Sequence, residues 1–229
     1  MNKRTLPTIE LLNDASEKLG DLCPEVVFLG GAIVSLLMTE KGGLPPRATK
    51  DVDVAIEISG TYLDIVELDQ RLLKLGFKND TSGPVCRYLH GPSVVDVIPV
   101  DPESLGDINT WYPLAIETAQ PHTLPNGIQI NVIAPVCFLG TKLMAFRSPT
   151  REFHDDIMLS RDFGDIIRVI DGRPTIASEV LEAREDLRKY LQDQFSALLY
   201  EPYIDHSIVE HVDLGREELV LERIRAFLP

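Results

Sequence analysis

RATKDVDVAIEI, residues 47–58, decides how the first half of this chain is read. Val52, Val54, Ile56 and Ile58 alternate with Asp51, Asp53, Ala55 and Glu57. A period of two is the signature of a β-strand, and it sends the three carboxylates to one face and the aliphatic side chains to the other. Such a face has two readings. It is the wetted side of a half-buried strand, which antiparallel sheets commonly have, or it holds a ligand. Carboxylates two residues apart on a strand have Cα atoms about 6.5–7 Å apart. Both therefore reach one hard cation, or two adjacent ones, with the oxygen ligands that suit Mg²⁺.

A second carboxylate stands out in SVVDVIPV, residues 93–100. Val94, Asp96 and Ile98 share one face and Val95 and Val97 the other, so this strand is apolar on both sides. A carboxylate buried there without a partner costs several kcal/mol. Arg87 on the preceding strand is one compensating partner, a backbone amide cluster is another, and a metal shared with Asp51 and Asp53 is a third. Upstream, FLGGAIVSLL (residues 28–37) puts Gly30 and Gly31 where a short buried strand ends and a helix is expected. Glycines there form a tight turn, or let backbone and helix N–H groups approach a phosphate.

Around these motifs the periodicities predict a mixed α/β half, residues 1–134, followed by a helical half, residues 135–229. Residues 8–20 read as an amphipathic helix through Ile9, Leu12, Ala15 and Leu19, and residues 61–76 as another through Leu63, Val66, Leu72 and Leu75. His90-Gly91-Pro92 is expected to turn a hairpin between PVCRYLHG and PSVVDVIPVDP, and IQINVIAP is a further strand. Leu159, Phe163, Ile166, Ile167 and Ile170 form one helical stripe closed by DGRP, and residues 175–200 and 215–228 are charged amphipathic helices. There is no repeat and no low-complexity segment.

Composition excludes some functions. With 22 basic and 36 acidic residues the net charge is −14, which argues against a broad nucleic-acid footprint but not against a small positive cleft. Cys23, Cys86 and Cys137 have neither metal-ligand nor redox spacing, and the opening MNKRTLPTIELLNDASEKLG has no apolar stretch behind its basic residues. The longest nearly apolar run, VVFLGGAIVSLLM, is too short to span a bilayer. These features are those of a soluble cytoplasmic protein. FHDDI (residues 153–157) has a His-Asp pair like those that bind metal but no second such pair, and His206 and His211 lack the i, i+4 spacing of a helical zinc site. Trp111 with Tyr112 reads as core ahead of a base-stacking platform.

Glycine turn, Asp-x-Asp strand and later single-Asp strand, in that order, resemble the nucleotidyltransferase superfamily related to DNA polymerase β. Within it the chain is most similar to the AbiEii-like group of nucleotidyltransferase toxins from toxin–antitoxin and phage-defence systems. Gly30-Gly31 matches the glycine motif, Thr49-Lys50-Asp51-Val52-Asp53 the T-x-D-x-D element, and Asp96 the later strand aspartate. Lys142 in FLGTKLMAF and Arg161-Asp162-Phe163-Gly164-Asp165 match the group's lysine and its R-D-x-x-D helix. The match runs over residues 25–172. It departs from the superfamily in having Gly-Gly where Gly-Ser is frequent, and in the long loop 40–48.

The resemblance implies an α+β fold, a polymerase β-like core of short mixed sheet flanked by helices followed by a C-terminal helical subdomain. It implies Mg²⁺ held by Asp51, Asp53 and Asp96, with Gly30, Gly31, Thr49, Lys142 and Asp165 on the nucleotide. It also implies transfer of NMP from an NTP to an acceptor hydroxyl with release of pyrophosphate. tRNA is the implied acceptor, and an antitoxin the implied protein partner. A small molecule such as an antibiotic, or a protein side chain, is an alternative acceptor. A nucleotide- or partner-binding protein of the same fold without transfer activity is the rival reading. The residues themselves leave Lys142 open between a snorkelling surface lysine and a triphosphate contact. They leave Asp165 open between a site role and ordinary pairing with Arg161 and Arg168 along a helix face.

Overall fold

Strand formation in the first half follows the aliphatic residues. In a computed structural model of the chain, the described residues are 8–40, 43–58, 62–101 and 109–229. The N-terminal basic residues, Thr61 at the start of the second expected helix and Pro102 at the end of an expected strand lie outside them. Two compact units result, one from the described residues of Met1–Ile33 and Ala48–Ala134, the other from those of Val34–Arg47 and Pro135–Pro229.

The first unit is built on a mixed sheet, so the class is α+β. Its strands are β1 (Val26–Leu29), β2 (Val52–Glu57), β3 (Lys78–Asn79), β4 (Arg87–His90), β5 (Ser93–Val100), β6 (Gln120–Thr123) and β7 (Gln129–Val132). Their spatial order is β3-β4-β5-β2-β1-β7-β6, with β2 parallel to β5, β1 parallel to β7 and the remaining neighbours antiparallel. β2 lies near the centre, and Val52, Val54 and Ile56 are buried as the alternation predicts, while Glu57 is exposed. Gly91 and Pro92 close the β4–β5 hairpin, Gly91 in the left-handed region at φ 60°.

Helices α1 (Thr8–Leu19), α3 (Tyr62–Lys74) and α4 (Tyr112–Glu117) complete this unit, α1 packing on β2 and β5 and α4 on β1 and β2. Lys18 of α1 donates to the Ser93 hydroxyl at 2.6 Å and to the His90 carbonyl at 3.1 Å, fixing the helix over the ends of the hairpin. α3 is anchored by Leu68 and Leu72, followed by buried Phe77, whereas Leu63 is 74% exposed. The expected inward stripe through Leu63 is therefore wrong: only the later turns of α3 are buried. β3 and β6 were not expected. β3 has two residues, and β6, QPHT, is a polar edge strand whose proline fits only at an edge.

The second unit holds the short helix α2 (Val34–Leu37) and then α5 (Pro135–Arg147), α6 (Arg161–Gly172), α7 (Ile176–Glu182), α8 (Glu185–Leu198), α9 (Ile204–Val209) and α10 (Glu217–Arg225). Phe163, Ile166, Ile167 and Ile170 are fully buried on α6, and Ser160 caps it by accepting from the Phe163 N–H at 3.3 Å. Leu159 lies before that cap and is 59% exposed, so it does not belong to the stripe. Residues 34–40 are tied to α6: the N–H groups of Thr39 and Glu40 both donate to the Gly172 carbonyl, at 2.8 and 2.9 Å. No helix among the described residues is long and apolar enough to cross a membrane.

Candidate active site

Sheet register brings the acidic residues together. Asp53 of β2 is the register partner of Asp96 on β5, and Asp96 is in turn the partner of Arg87 on β4. Register partners on adjacent strands point to the same face, about 4.8 Å apart. Arg87, Asp96 and Asp53 therefore form one row across three strands, with Asp51 two positions before Asp53.

Arg87 dominates the electrostatics of this row. Its Nε and Nη2 donate to the two oxygens of Asp96, both at 2.7 Å, a bidentate fork of the strong charge-assisted kind. The same Nη2 donates to Oδ2 of Asp51 at 3.0 Å. The pairing with Asp96, then the charges of Asp51 and Asp53, hold the guanidinium proton still more firmly than usual. Thr49, itself buried, donates from Oγ1 to the other Asp51 oxygen at 2.9 Å, which fixes that carboxylate with Oδ2 toward Arg87. Cys86, the neighbour of Arg87, has its thiol pushed up by burial and by the negative charges of Asp96 and Asp53.

Gly30 closes the other side. It follows β1, whose Leu29 is the register partner of Asp53, and it has φ +72°. A Cβ at position 30 would overlap the Asp53 carboxylate. Glycine is thus required twice over, for the left-handed turn and for the close approach of backbone to carboxylate. The expected helix after it is slight: Gly31–Ile33 is a single 3₁₀ turn and α2 has four residues. A strong helix dipole is therefore absent from this turn, and the contribution of Gly30 and Gly31 is close backbone approach.

Asp51, Asp53 and Asp96 offer the hard oxygen donors that a divalent cation such as Mg²⁺ prefers. Asp51 and Asp96 already direct one oxygen each at a single cationic nitrogen, Nη2 of Arg87. The donor set therefore fits a cation. Among the described residues, however, no three His, Cys, Asp or Glu side chains form a ready-made metal cage. The guanidinium stands where two of the carboxylates converge.

Lys142 and Asp165 lie in the helical unit. Lys142 on α5 is buried, not snorkelling, and its ammonium donates to Asp162 and Asp165 on α6, both at 2.8 Å. Asp165 is 1% exposed, and Arg47 adds a second pair of hydrogen bonds to it at 3.1 and 3.3 Å. Its ion pairs thus run to Lys142 and Arg47, off its own helix, where the spacing had suggested Arg161 and Arg168. Position 165 falls among the buried residues of α6, between Phe163 and Ile166, which turns its carboxylate inward. Arg47 lies in the loop 40–48, and its part in this cluster depends on a partner 118 positions away and has no local signal.

No protein-family model matches the sequence, and no curated protein matches it. Solved structures do. The chain is similar to an antigenic nucleotidyltransferase-like protein from Paracoccidioides brasiliensis, with a TM-score of 0.53, 20% identity, and coverage of 88% of this chain and 92% of that one. At that identity the shared property is the fold. The antibiotic-resistance factor ANT(2'')-Ia is similar at a TM-score of 0.48 and 11% identity, covering 85% of this chain and 97% of that one, too distant to carry an argument.

Two outcomes follow from this geometry. Gly30→Ala is expected to lose about 1–3 kcal/mol or more, from left-handed backbone and from overlap with Asp53, read as a lower urea midpoint. Burial pushes the Asp165 carboxyl up, but Lys142 and Arg47 outweigh it and hold its pKa below the usual carboxylate range. A depressed pKa stabilises the fold above the ordinary carboxylate value, and that stability is lost as pH falls through the depressed one. Asp165→Asn is therefore expected to cost about 3–5 kcal/mol near pH 7. In acid unfolding curves its difference from the wild type is expected to shrink as the pH falls.

Proposed function

We propose that this protein is a Mg²⁺-dependent nucleotidyltransferase that moves NMP from an NTP to an acceptor hydroxyl. The observation that carries the reading is the register that sets Asp53 beside Asp96, with Asp51 on the same face, behind a glycine turn that only glycine can make. The nucleotidyltransferase-like fold neighbour supports it.

Asp51, Asp53 and Asp96 would hold the metal. When bound, Mg²⁺ supplies positive charge to the triphosphate and to the attacking and leaving oxygens. Thr49 orients Asp51 through its hydroxyl, and Gly30 gives the Asp53 carboxylate room that any side chain would fill. Asp96, buried and paired with Arg87, would help take the acceptor proton once that pairing opens. Catalysis of this kind is positioning and charge compensation. Lys142 and Asp165 keep the nucleotide-binding role implied by the resemblance only as part of this proposal, since their observed contacts are those of an ion cluster.

A tRNA hydroxyl is the acceptor implied by likeness to the toxin group, which would make the activity a block on translation relieved by an antitoxin. A small hydroxylated molecule is the alternative acceptor. One observation favours a second reading: Arg87 already satisfies Asp96 and Asp51, as a binding domain without metal or transfer activity would require.

Incubation with each α-labelled NTP, Mg²⁺ and separate pools of RNA, protein and small molecules tests the proposal. The expected result is label in one pool, reduced at least about a hundredfold by Asp53→Asn. Absence of label from every pool, or labelling that persists in Asp53→Asn, overturns it.

A further inference from the structure

Arg87 is the cation of the carboxylate row, and its position has a consequence for any ion that enters there. We infer that Arg87 competes with the divalent cation for Asp51 and Asp96, so that this one side chain sets the metal affinity of the site. The inference rests on the proposed reading of the three aspartates as metal ligands.

The geometry is that of a competitor. Nη2 of Arg87 bridges Oδ2 of Asp51 at 3.0 Å and Oδ2 of Asp96 at 2.7 Å, while Nε holds the remaining Asp96 oxygen at 2.7 Å. Both Asp96 oxygens are thereby engaged, so an ion can be ligated by Asp96 only as the fork opens. Asp51 has its other oxygen on Thr49, so its free coordination also points at the guanidinium. The pairs are partly shielded: the Arg87 side chain is 25% exposed and that of Asp96 10%. Solvent screening therefore weakens the contact less than it would at the surface.

Gly83, in the turn before β4, lets the backbone pass close to the Arg87 stem: a Cβ there would stand 2.9 Å from its Cδ. A divalent ion brings two charges where Arg87 brings one, so the exchange favours the metal as its concentration rises.

The test is Mn²⁺ binding to the full chain, followed by the paramagnetic signal of the free ion, for wild type, Arg87→Gln and Arg87→Lys. Loss of a competing charge-assisted fork is expected to make Arg87→Gln bind about tenfold more tightly than wild type. Arg87→Lys, which keeps the charge but not the fork, is expected to fall between them. Without metal, Arg87→Gln is expected to melt below wild type, and Mn²⁺ to raise its Tm more than it raises that of wild type. Should Arg87→Gln fail to fold, Arg87→Lys carries the test, binding more tightly than wild type. Equal or weaker binding by the folded variants overturns the inference while leaving the metal reading intact. No binding by wild type or variants overturns both.

Discussion

Like charge is the constraint on which the first unit depends. Its sheet places Asp53 and Asp96 side by side on adjacent parallel strands and Asp51 two residues away on the same face. Three carboxylates this close repel one another, and Asp96 is buried as well. Such a row persists in a folded protein only with positive charge among it. Arg87 provides that charge through a hairpin that sets it directly across from Asp96. Everything proposed for this molecule follows from the tension between three acids and one base: the acids are more than a structural ion pair needs, and the base is the group an entering cation has to move.

How much of this was legible in the sequence varied with the kind of signal. Alternation in DVDVAIEI gave β2, because period two is a local property and Val52, Val54 and Ile56 are buried on one face of that strand. The burial of Asp96 could be argued because its strand is apolar on both faces. Pairing of Arg87 with Asp96 could be named as one alternative, because both lie on a predicted hairpin. The bridge from Arg87 to Asp51 could not, since it depends on β5 lying parallel to β2 in one particular register. β6 was illegible for the opposite reason: a polar edge strand containing proline has no buried face to leave a pattern.

The helical unit shows a different limit. The apolar stripe of α6 was readable at helical spacing, but Asp165 was left open between a site role and pairing with Arg161 and Arg168 along that helix. Burial of Asp165 with Lys142 is stable only because Asp162 and Arg47 complete the cluster. Two of those partners come from outside α6, at separations of 23 and 118 positions. Interactions that span such distances are set by tertiary packing and leave nothing periodic in the chain. This is also why motif likeness and observed contacts give Lys142 different emphases, one on nucleotide, the other on architecture.

The occupant of the point where Asp51 and Asp96 converge decides the function of this row. Anomalous diffraction from crystals of the full chain grown with Mn²⁺ and a non-hydrolysable NTP analogue addresses it directly. The expected result is a Mn²⁺ peak ligated by Asp51, Asp53 and Asp96 and by the analogue's phosphates, with the Arg87 guanidinium moved off Asp96. A nucleotide bound elsewhere, with Arg87 still forked onto Asp96, would contradict it.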